Sequence, residues 1–187
     1  MSVSLPKPKY EGTLAARLGM TVHVSPLLMN LRSWLRSVGI DMPVEDWLLR
    51  VANQRGFAVV VPAIDVKAPV QDPGSSHFSN EMLATTILWA GLRDRPQLLR
   101  LAAQIISCCQ INVDELLRLG RLERTGRMLR ALAESALYVE PDHPVWKRIY
   151  EAVAGQKALA DVLLHWSRLA EPVPSPRLVA AGWKLVA

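Results

Sequence analysis

Hydrophobic side chains recur along most of this chain with the spacing of amphipathic helices. Residues at positions i, i+3, i+4 and i+7 lie on one face of an α-helix, and such a face packs on a core. The clearest sets are Val44, Trp47, Leu48 and Val51; Leu98, Leu101, Ala102 and Ile105; Trp146, Ile149, Tyr150 and Val153; and Leu159, Val162, Leu163 and Trp166. We therefore predict a mainly α protein, an irregular bundle of about seven helices.

Capping residues mark the ends of several predicted helices. Ser25 is a suitable N-cap, and Pro26 fills the first helical position, where the missing N–H has no intrahelical partner. Gly39 and Gly56 are typical of helix C-termini, and Ser79 is an N-cap for a later helix. The apolar face of the first helix is predicted to consist of Leu27, Leu31, Trp34 and Val38.

A minor β element is predicted near residues 57–62. This segment, FAVVVP, is short, apolar and β-branched, and a glycine and a proline bound it. Residues 20–24 (MTVHV) are a weaker strand candidate that could pair with it. Residues 175–187 are expected to form a short capped helix and then, after Gly182, an apolar extended end.

One segment without periodicity divides the chain into two parts. Residues 67–78 contain two prolines, a glycine and paired serines, which is typical of a loop. Residues 1–66 are predicted to form a helical hairpin plus a short strand, and residues 79–187 the main helical bundle. We expect the first part to pack on the second, giving one compact domain.

Arginine recurs at every third position from Arg118 to Arg130, in the segment RLGRLERTGRMLR. We expect this segment to lie in one long helix that opens at Asn112 or Asp114 and runs to about Tyr138. Because three residues turn an α-helix by about 300°, successive arginines form a spiral rather than a line. The buried stripe of this helix would contain Leu119, Leu122, Gly126, Leu129 and Ala133. Its solvated flank would carry Arg121, Arg124 and Arg127.

Two interpretations of this flank remain open. Ion pairs at i, i+4 spacing would make it an ordinary solvated face. The candidate pairs are Asp114 with Arg118, Glu123 with Arg127, and Arg130 with Glu134. Alternatively, Arg121, Arg124 and Arg127 bind a phosphate group or an acidic partner. Gly120 and Gly126 each cost about 1 kcal/mol in a helix interior, so they favour either a close helix approach or a break.

Residues 25–62 also have the outline of a helix-turn-helix unit followed by a wing strand. In that interpretation the nucleic-acid contacts would come from Arg32, Arg36, Arg50 and Arg55. The first turn of the second helix, however, carries Glu45 and Asp46, which would repel phosphates. An ordinary packed helical hairpin explains the same pattern.

Composition and charge narrow the function classes. The formal net charge is +5, which favours anionic partners such as an acidic protein surface or a nucleic acid. Cys108 and Cys109 are adjacent, which is typical of small buried residues in a reducing compartment rather than of a disulfide scaffold. No apolar run has the length of a membrane span, and no leader peptide is apparent, so we expect a cytoplasmic protein.

Catalytic chemistry has little support in the sequence. Ser75, Ser76 and His77 share the predicted loop with Asp72, but residues adjacent in a chain rarely hold an attack geometry. The histidines, His23, His77, His143 and His165, lack the spacing of metal ligands. We therefore expect no metal, no cofactor and no enzymatic activity.

These features favour a non-catalytic interaction or regulatory module. Its binding surface would be the flank of Arg121, Arg124 and Arg127, and its partner an acidic protein or another polyanion. The alternative is a DNA- or RNA-binding regulator that uses residues 25–62 together with that flank. Assembly into a homo-oligomer is compatible with both hypotheses.

Overall fold

Helices dominate the part of the chain that the computed structural model describes, residues 25–57, 59–62, 78–89, 96–107, 110–157, 180 and 183–186. The helices are α1 (Pro26–Ser37), α2 (Val44–Gln54), α3 (Asn80–Ile87), α4 (Pro96–Ser107), α5 (Val113–Leu122), α6 (Gly126–Val139) and α7 (Pro144–Ala152). The strands are β1 (Val59–Pro62) and β2 (Trp183–Val186). The prediction of a mainly α fold is confirmed.

The predicted caps of α1 are present. Ser25 Oγ accepts a hydrogen bond of 3.0 Å from the Leu28 N–H, and Pro26 is the first helical residue. Gly39 follows the helix with a φ of 72°, and the Ile40 N–H donates back to the Leu35 carbonyl at 2.9 Å. These two features define a Schellman motif.

The apolar face of α1 agrees with the prediction at Leu27 and Leu31, whereas Trp34 is only partly buried. Val38 lies beyond the end of the helix and is 41% exposed, so it does not belong to the core. The buried residues of the helix are Leu27, Leu28, Leu31 and Leu35.

Aromatic side chains join α1 to α2. Trp34 on α1 and Trp47 on α2 meet edge to face, with ring centroids 5.5 Å apart. Phe78, which precedes α3, contacts both rings in the same geometry at 5.5 and 5.3 Å. Edge-to-face packing brings the positive edge of one ring to the negative face of the next, which favours this arrangement of the three rings.

A continuous cluster of buried side chains holds the described helices together. Every one of the described helices, α1 to α7, contributes to this cluster. Helix α3 packs on α4 and α5, and α6 packs on α7. At one edge, Trp146 Nε1 of α7 donates to Ser107 Oγ of α4 at 3.1 Å, so the indole satisfies its polar atom while its rings are buried.

The predicted strand near residues 57–62 is present as β1. It pairs antiparallel with β2, with Val59 opposite Val186 and Pro62 opposite Trp183. The described partner of β1 is therefore the extended end of the chain that the sequence predicted after Gly182. Residues 20–24, suggested as a partner from the sequence, lie outside the described residues.

The prediction of one long helix from Asn112 or Asp114 to Tyr138 is wrong. Asn112 does cap a helix, since its side chain accepts from the Glu115 N–H at 3.2 Å. That helix, α5, ends at Leu122, and α6 begins only at Gly126. The residues between them form a turn that reverses the chain.

The α5 helix ends in the same motif as α1, with an arginine in place of glycine. The Thr125 N–H donates to the Gly120 carbonyl at 2.9 Å, and the Arg124 N–H donates to the Arg121 carbonyl at 3.3 Å. Arg124 has a φ of 57°, in the left-handed region that glycine usually occupies. The helix therefore ends here without the glycine that usually marks such a helix end in a sequence.

Gly120 explains why α6 can fold back closely on α5. A Cβ atom at this position would lie 2.8 Å from Leu129 Cδ1 of α6, closer than real carbon contacts. Of the two roles suggested for the glycines, Gly120 therefore allows the close approach of α6 to α5. Gly126 lies at the interruption of the predicted long helix, as the first residue of α6.

No described helix is both long enough and apolar enough to span a bilayer.

We predict that Arg124→Gly raises the stability of the protein or leaves it unchanged. Glycine relieves a left-handed residue that costs about 1 kcal/mol or more, although it also adds entropy to the unfolded chain. The control is Arg32→Gly on the exposed side of α1, which should cost about 1 kcal/mol. Urea unfolding measures both, and an equal loss of stability in the two variants would show that Arg124 lies in a helix interior.

Candidate functional site

Three exposed arginines surround the turn between α5 and α6. Arg121 lies in the last turn of α5, Arg124 in the connecting turn and Arg127 in the first turn of α6. The side chains of all three are exposed. We call this group, Arg121, Arg124 and Arg127, the basic turn.

The arginines before and after the basic turn have acidic partners. Arg118 Nε lies 2.6 Å from Glu115 Oε2, and the hydrogen bond between them lowers the pKa of Glu115. Arg130 Nε lies 2.6 Å from Glu134 Oε1, which confirms that predicted pair. Within the described residues, no carboxylate lies at ion-pair distance from the three arginines of the basic turn.

Two of the predicted ion pairs are wrong. Asp114 pairs with Arg148 of α7 at 2.7 Å rather than with Arg118, because the packing of α7 near α5 brings that guanidinium closer. Glu123 does not pair with Arg127, because the break of the helix turns the glutamate inward. The positive charge of the basic turn is therefore not neutralised as the sequence pattern had indicated.

Glu123 is the acidic residue inside the basic turn, and it is only 2% exposed. Its Oε1 accepts a hydrogen bond of 2.8 Å from the Leu27 N–H in the first turn of α1. A carboxylate is favourable there, because the first N–H groups of a helix lack intrahelical acceptors and carry partial positive charge. The nearest acid in sequence thus caps a distant helix.

A fourth cation lies beside the basic turn. Arg127 Nε donates to the backbone carbonyl of Lys157 at 3.1 Å. Gln156 packs near Gly126, where an added Cβ would meet its Cγ at 3.3 Å. Lys157 is exposed, so the chain beyond α7 adds positive charge to this surface.

Leu122 is part of this surface, although the sequence pattern placed it in the buried stripe. Its side chain is 55% exposed. On a helix that ends at residue 122, Leu122 is about 200° beyond the buried Gly120 and points away from the core. A helical wheel for α5 alone places Leu122 on the exposed side. A wheel for one continuous helix through α5 and α6 places it in the buried stripe.

The four arginines considered as nucleic-acid contacts have two different environments. Arg32, Arg36 and Arg50 are exposed on α1 and α2. Arg55 instead donates from Nη1 to Asn80 Oδ1 at 2.6 Å and from Nη2 to the Phe78 carbonyl. Burial lowers its pKa, and the carboxylate of Glu81 opposes this effect. Arg55 therefore joins α2 to α3 as part of the fold.

The α1–α2 connection is longer than in a helix-turn-helix unit. It covers residues 38–43, whereas the motif uses a turn of about three or four residues. The first turn of α2 carries Glu45 and Asp46, and its apolar residues Val44, Trp47 and Leu48 are buried in the core. A nucleic acid at this end of α2 would meet negative charge.

The residues considered for chemistry lie mostly outside the described part of the chain. These are His23, Ser75, Ser76, His77, Cys108, Cys109 and His165. His143 is half-buried directly before α7. Among the described residues, no three His, Cys, Asp or Glu side chains are grouped so that they could hold a metal ion.

Comparisons with known proteins add no assignment. No protein-family model matches this chain, and neither curated proteins nor solved structures gave a match. The interpretation of the basic turn therefore rests on its own geometry.

We predict that Glu123→Ala destabilises the protein by about 1–3 kcal/mol, because the Leu27 N–H loses its acceptor in a buried place. Glu123→Gln should cost less, since an amide oxygen can still accept that hydrogen bond. The control is Glu115→Ala, which removes an exposed ion pair and should change stability little. Thermal unfolding measures the order of stability of the three variants. A Glu123→Ala protein as stable as Glu115→Ala would contradict the capping role of Glu123.

Proposed function

We propose that this protein is a non-catalytic interaction module that binds an acidic protein segment at the basic turn. The observation that carries the proposal is the contrast between neighbouring arginines. Arg118 and Arg130 are held by glutamates, whereas Arg121 and Arg124 have no side-chain partner among the described residues. Exposed cations without a local counter-charge attract an anionic partner and increase its rate of association.

The form of the site supports a protein partner more than a nucleic acid. Leu122 is exposed between Arg121 and Arg124, and an apolar side chain there suits a partner that offers both acidic and apolar groups. Guanidinium groups bind carboxylates in a bidentate manner. The phosphate groups, which carry the negative charge of a nucleic acid, have no apolar atoms to place on Leu122.

The alternative, nucleic-acid binding through residues 25–62, is weaker by the same reasoning. Arg55 is engaged in the fold, and Glu45 and Asp46 occupy the front of α2. The alternative retains the exposed Arg32, Arg36 and Arg50, which makes these residues a suitable control set.

The test compares two triple variants that remove the same amount of positive charge. One replaces Arg121, Arg124 and Arg127 with glutamine, and the other replaces Arg32, Arg36 and Arg50 with glutamine. Fluorescence anisotropy with labelled polyglutamate measures binding across a salt series. We expect the first variant to lose at least about tenfold in affinity and to have a shallower salt dependence, and the second to bind within about threefold of wild type.

A labelled DNA duplex provides the second arm of the test. If DNA binds and only the variant at Arg32, Arg36 and Arg50 loses it, the nucleic-acid alternative is correct. Equal loss of polyglutamate binding in both variants would mean that net charge alone is responsible, and the basic turn would then not be a site.

A further inference from the structure

The turn between α5 and α6 depends on one unfavourable backbone conformation. Arg124 has a φ of 57°, and among the described residues it is the only non-glycine residue with a positive φ. Such residues are uncommon because Cβ comes too close to a backbone carbonyl oxygen. Glu123, directly before it, keeps right-handed backbone angles. A change at Arg124 and Thr125 is therefore enough to return the chain to a helical path.

The sequence across this turn has the pattern of one continuous helix. On such a helix Leu122 would lie two turns before Leu129 and within about 20° of it, in line with the buried face of α6. Glu123 and Arg127 are at i, i+4 spacing with the acid first, which is the favourable order for an ion pair. The folded turn makes neither arrangement, since Leu122 is 55% exposed and Glu123 caps α1.

The helices after the turn form a unit with its own internal contacts. Arg130 of α6 donates from Nη2 to the Tyr150 hydroxyl of α7 at 2.7 Å, and its guanidinium carbon lies 3.8 Å from the centroid of the same ring. Arg127 Nε donates to the Lys157 carbonyl, beyond α7, at 3.1 Å. The α6–α7 hairpin can therefore move about the turn without losing these contacts.

The contacts between this unit and the rest of the fold all cross from one side of the turn to the other. Trp146 Nε1 of α7 donates to Ser107 Oγ of α4, and Arg148 pairs with Asp114 of α5. Strand β2 pairs with β1. A second copy of the chain presents the same surfaces, so it can supply every one of these partners.

We propose that the α5–α6 turn is a hinge, and that two copies of this chain exchange residues 126–187 to form a domain-swapped dimer. In each copy residues 113–139 become one helix. The α6, α7 and β2 elements of each copy then pack on α4, α5 and β1 of the other. Exchange of an identical element is a route to a dimer that needs few new contacts, and strained short hinges favour it.

The exchange changes the environment of only the residues at the hinge. It removes the left-handed conformation of Arg124 and allows the Glu123–Arg127 pair. The two straightened helices run side by side near the two-fold axis, where the Leu122 side chains of the two copies meet. Against this, Glu123 leaves the Leu27 N–H, and two chains lose independent motion on association. The monomer is therefore the main form in dilute solution, and the dimer forms at high concentration.

Refolding at a series of concentrations tests the hinge. Each protein is unfolded in urea and refolded with a thiol reductant, because the chain contains Cys108 and Cys109. Size-exclusion chromatography with light scattering then gives the concentration at which half of the chains are dimeric. The wild-type chain should have a measurable dimer fraction that increases with concentration.

Substitutions at the hinge should shift this concentration in opposite directions. Arg124→Gly should raise it at least about tenfold, because glycine accepts the left-handed turn and disfavours the straightened helix at both hinges of the dimer. Arg124→Ala is the matched control. It removes the same charge but keeps Cβ, and it should stay within about threefold of wild type. Gly126→Ala should lower the concentration at least about threefold, because alanine favours the interior of a helix.

Energy transfer between labelled chains distinguishes exchange from ordinary association of two surfaces. Donor- and acceptor-labelled chains should form mixed dimers when they are refolded together. Mixing the two folded proteins should give little energy transfer, because exchange requires α6 and α7 to leave their core.

Three outcomes would overturn the hinge. The first is a wild-type chain that stays monomeric after refolding at the highest concentration. The second is equal dimerisation of Arg124→Gly and Arg124→Ala, and the third is prompt energy transfer on mixing folded proteins. None of them bears on polyglutamate binding by the monomer, so the exchange and the function proposed for the basic turn can fail separately.

Discussion

The hydrogen bond between the Glu123 carboxylate and the Leu27 N–H joins the turn after α5 to the N-terminus of α1 in the interior of the protein. It caps α1, and it comes from the C-cap residue of α5, directly before the chain leaves the α-helical path at Arg124. Once the carboxylate is turned inward, the side chains on either side of it are turned outward. The exposed arginines and the exposed leucine at this turn thus lie on either side of one buried glutamate. A similar contact joins Glu81 of α3 to the backbone N–H of Asn112, at 2.6 Å, so two buried glutamates connect helices that are distant in sequence.

The fold class and most helix boundaries could be predicted because they depend on local physics. Proline at a first helical position, serine and asparagine caps, and glycine in the left-handed region are properties of a few adjacent residues. These signals located α1, α2, α3 and α7. The number of described helices is the predicted seven, but the seven are not the same helices. The predicted long helix is two helices, and the predicted helix around residues 159–166 lies outside the described residues.

The break between α5 and α6 could not be predicted with the same signals, because its left-handed residue is Arg124 and not glycine. What fixes it is tertiary: the cap on α1 and the close packing of Leu129 on Gly120. The regular spacing of the arginines continued through the break, and it suggested ion pairs that the folded chain does not make. The three candidate arginines were nevertheless identified from the sequence. Leu122 was missed as a surface residue because its position on a helical wheel depends on where the helix ends.

The binding site that we propose at the basic turn depends on the shape and charge of a turn and not on reactive groups. The flanking arginines Arg118 and Arg130, each paired with a glutamate, define its borders. Glu123, at its centre, is buried at the N-terminus of α1, so that the exposed groups there are arginines.

The central claim is that the segment from residue 113 to residue 139 is two helices, with Glu123 inside and its neighbouring arginines outside. Backbone carbon chemical shifts from NMR spectroscopy of the labelled protein test it most directly. The structure predicts two helical runs separated at residues 123–125, with Arg124 displaced toward left-handed values. Uninterrupted helical shifts from residue 113 to residue 139 would contradict it, because one continuous helix leaves Glu123 no path to the α1 cap.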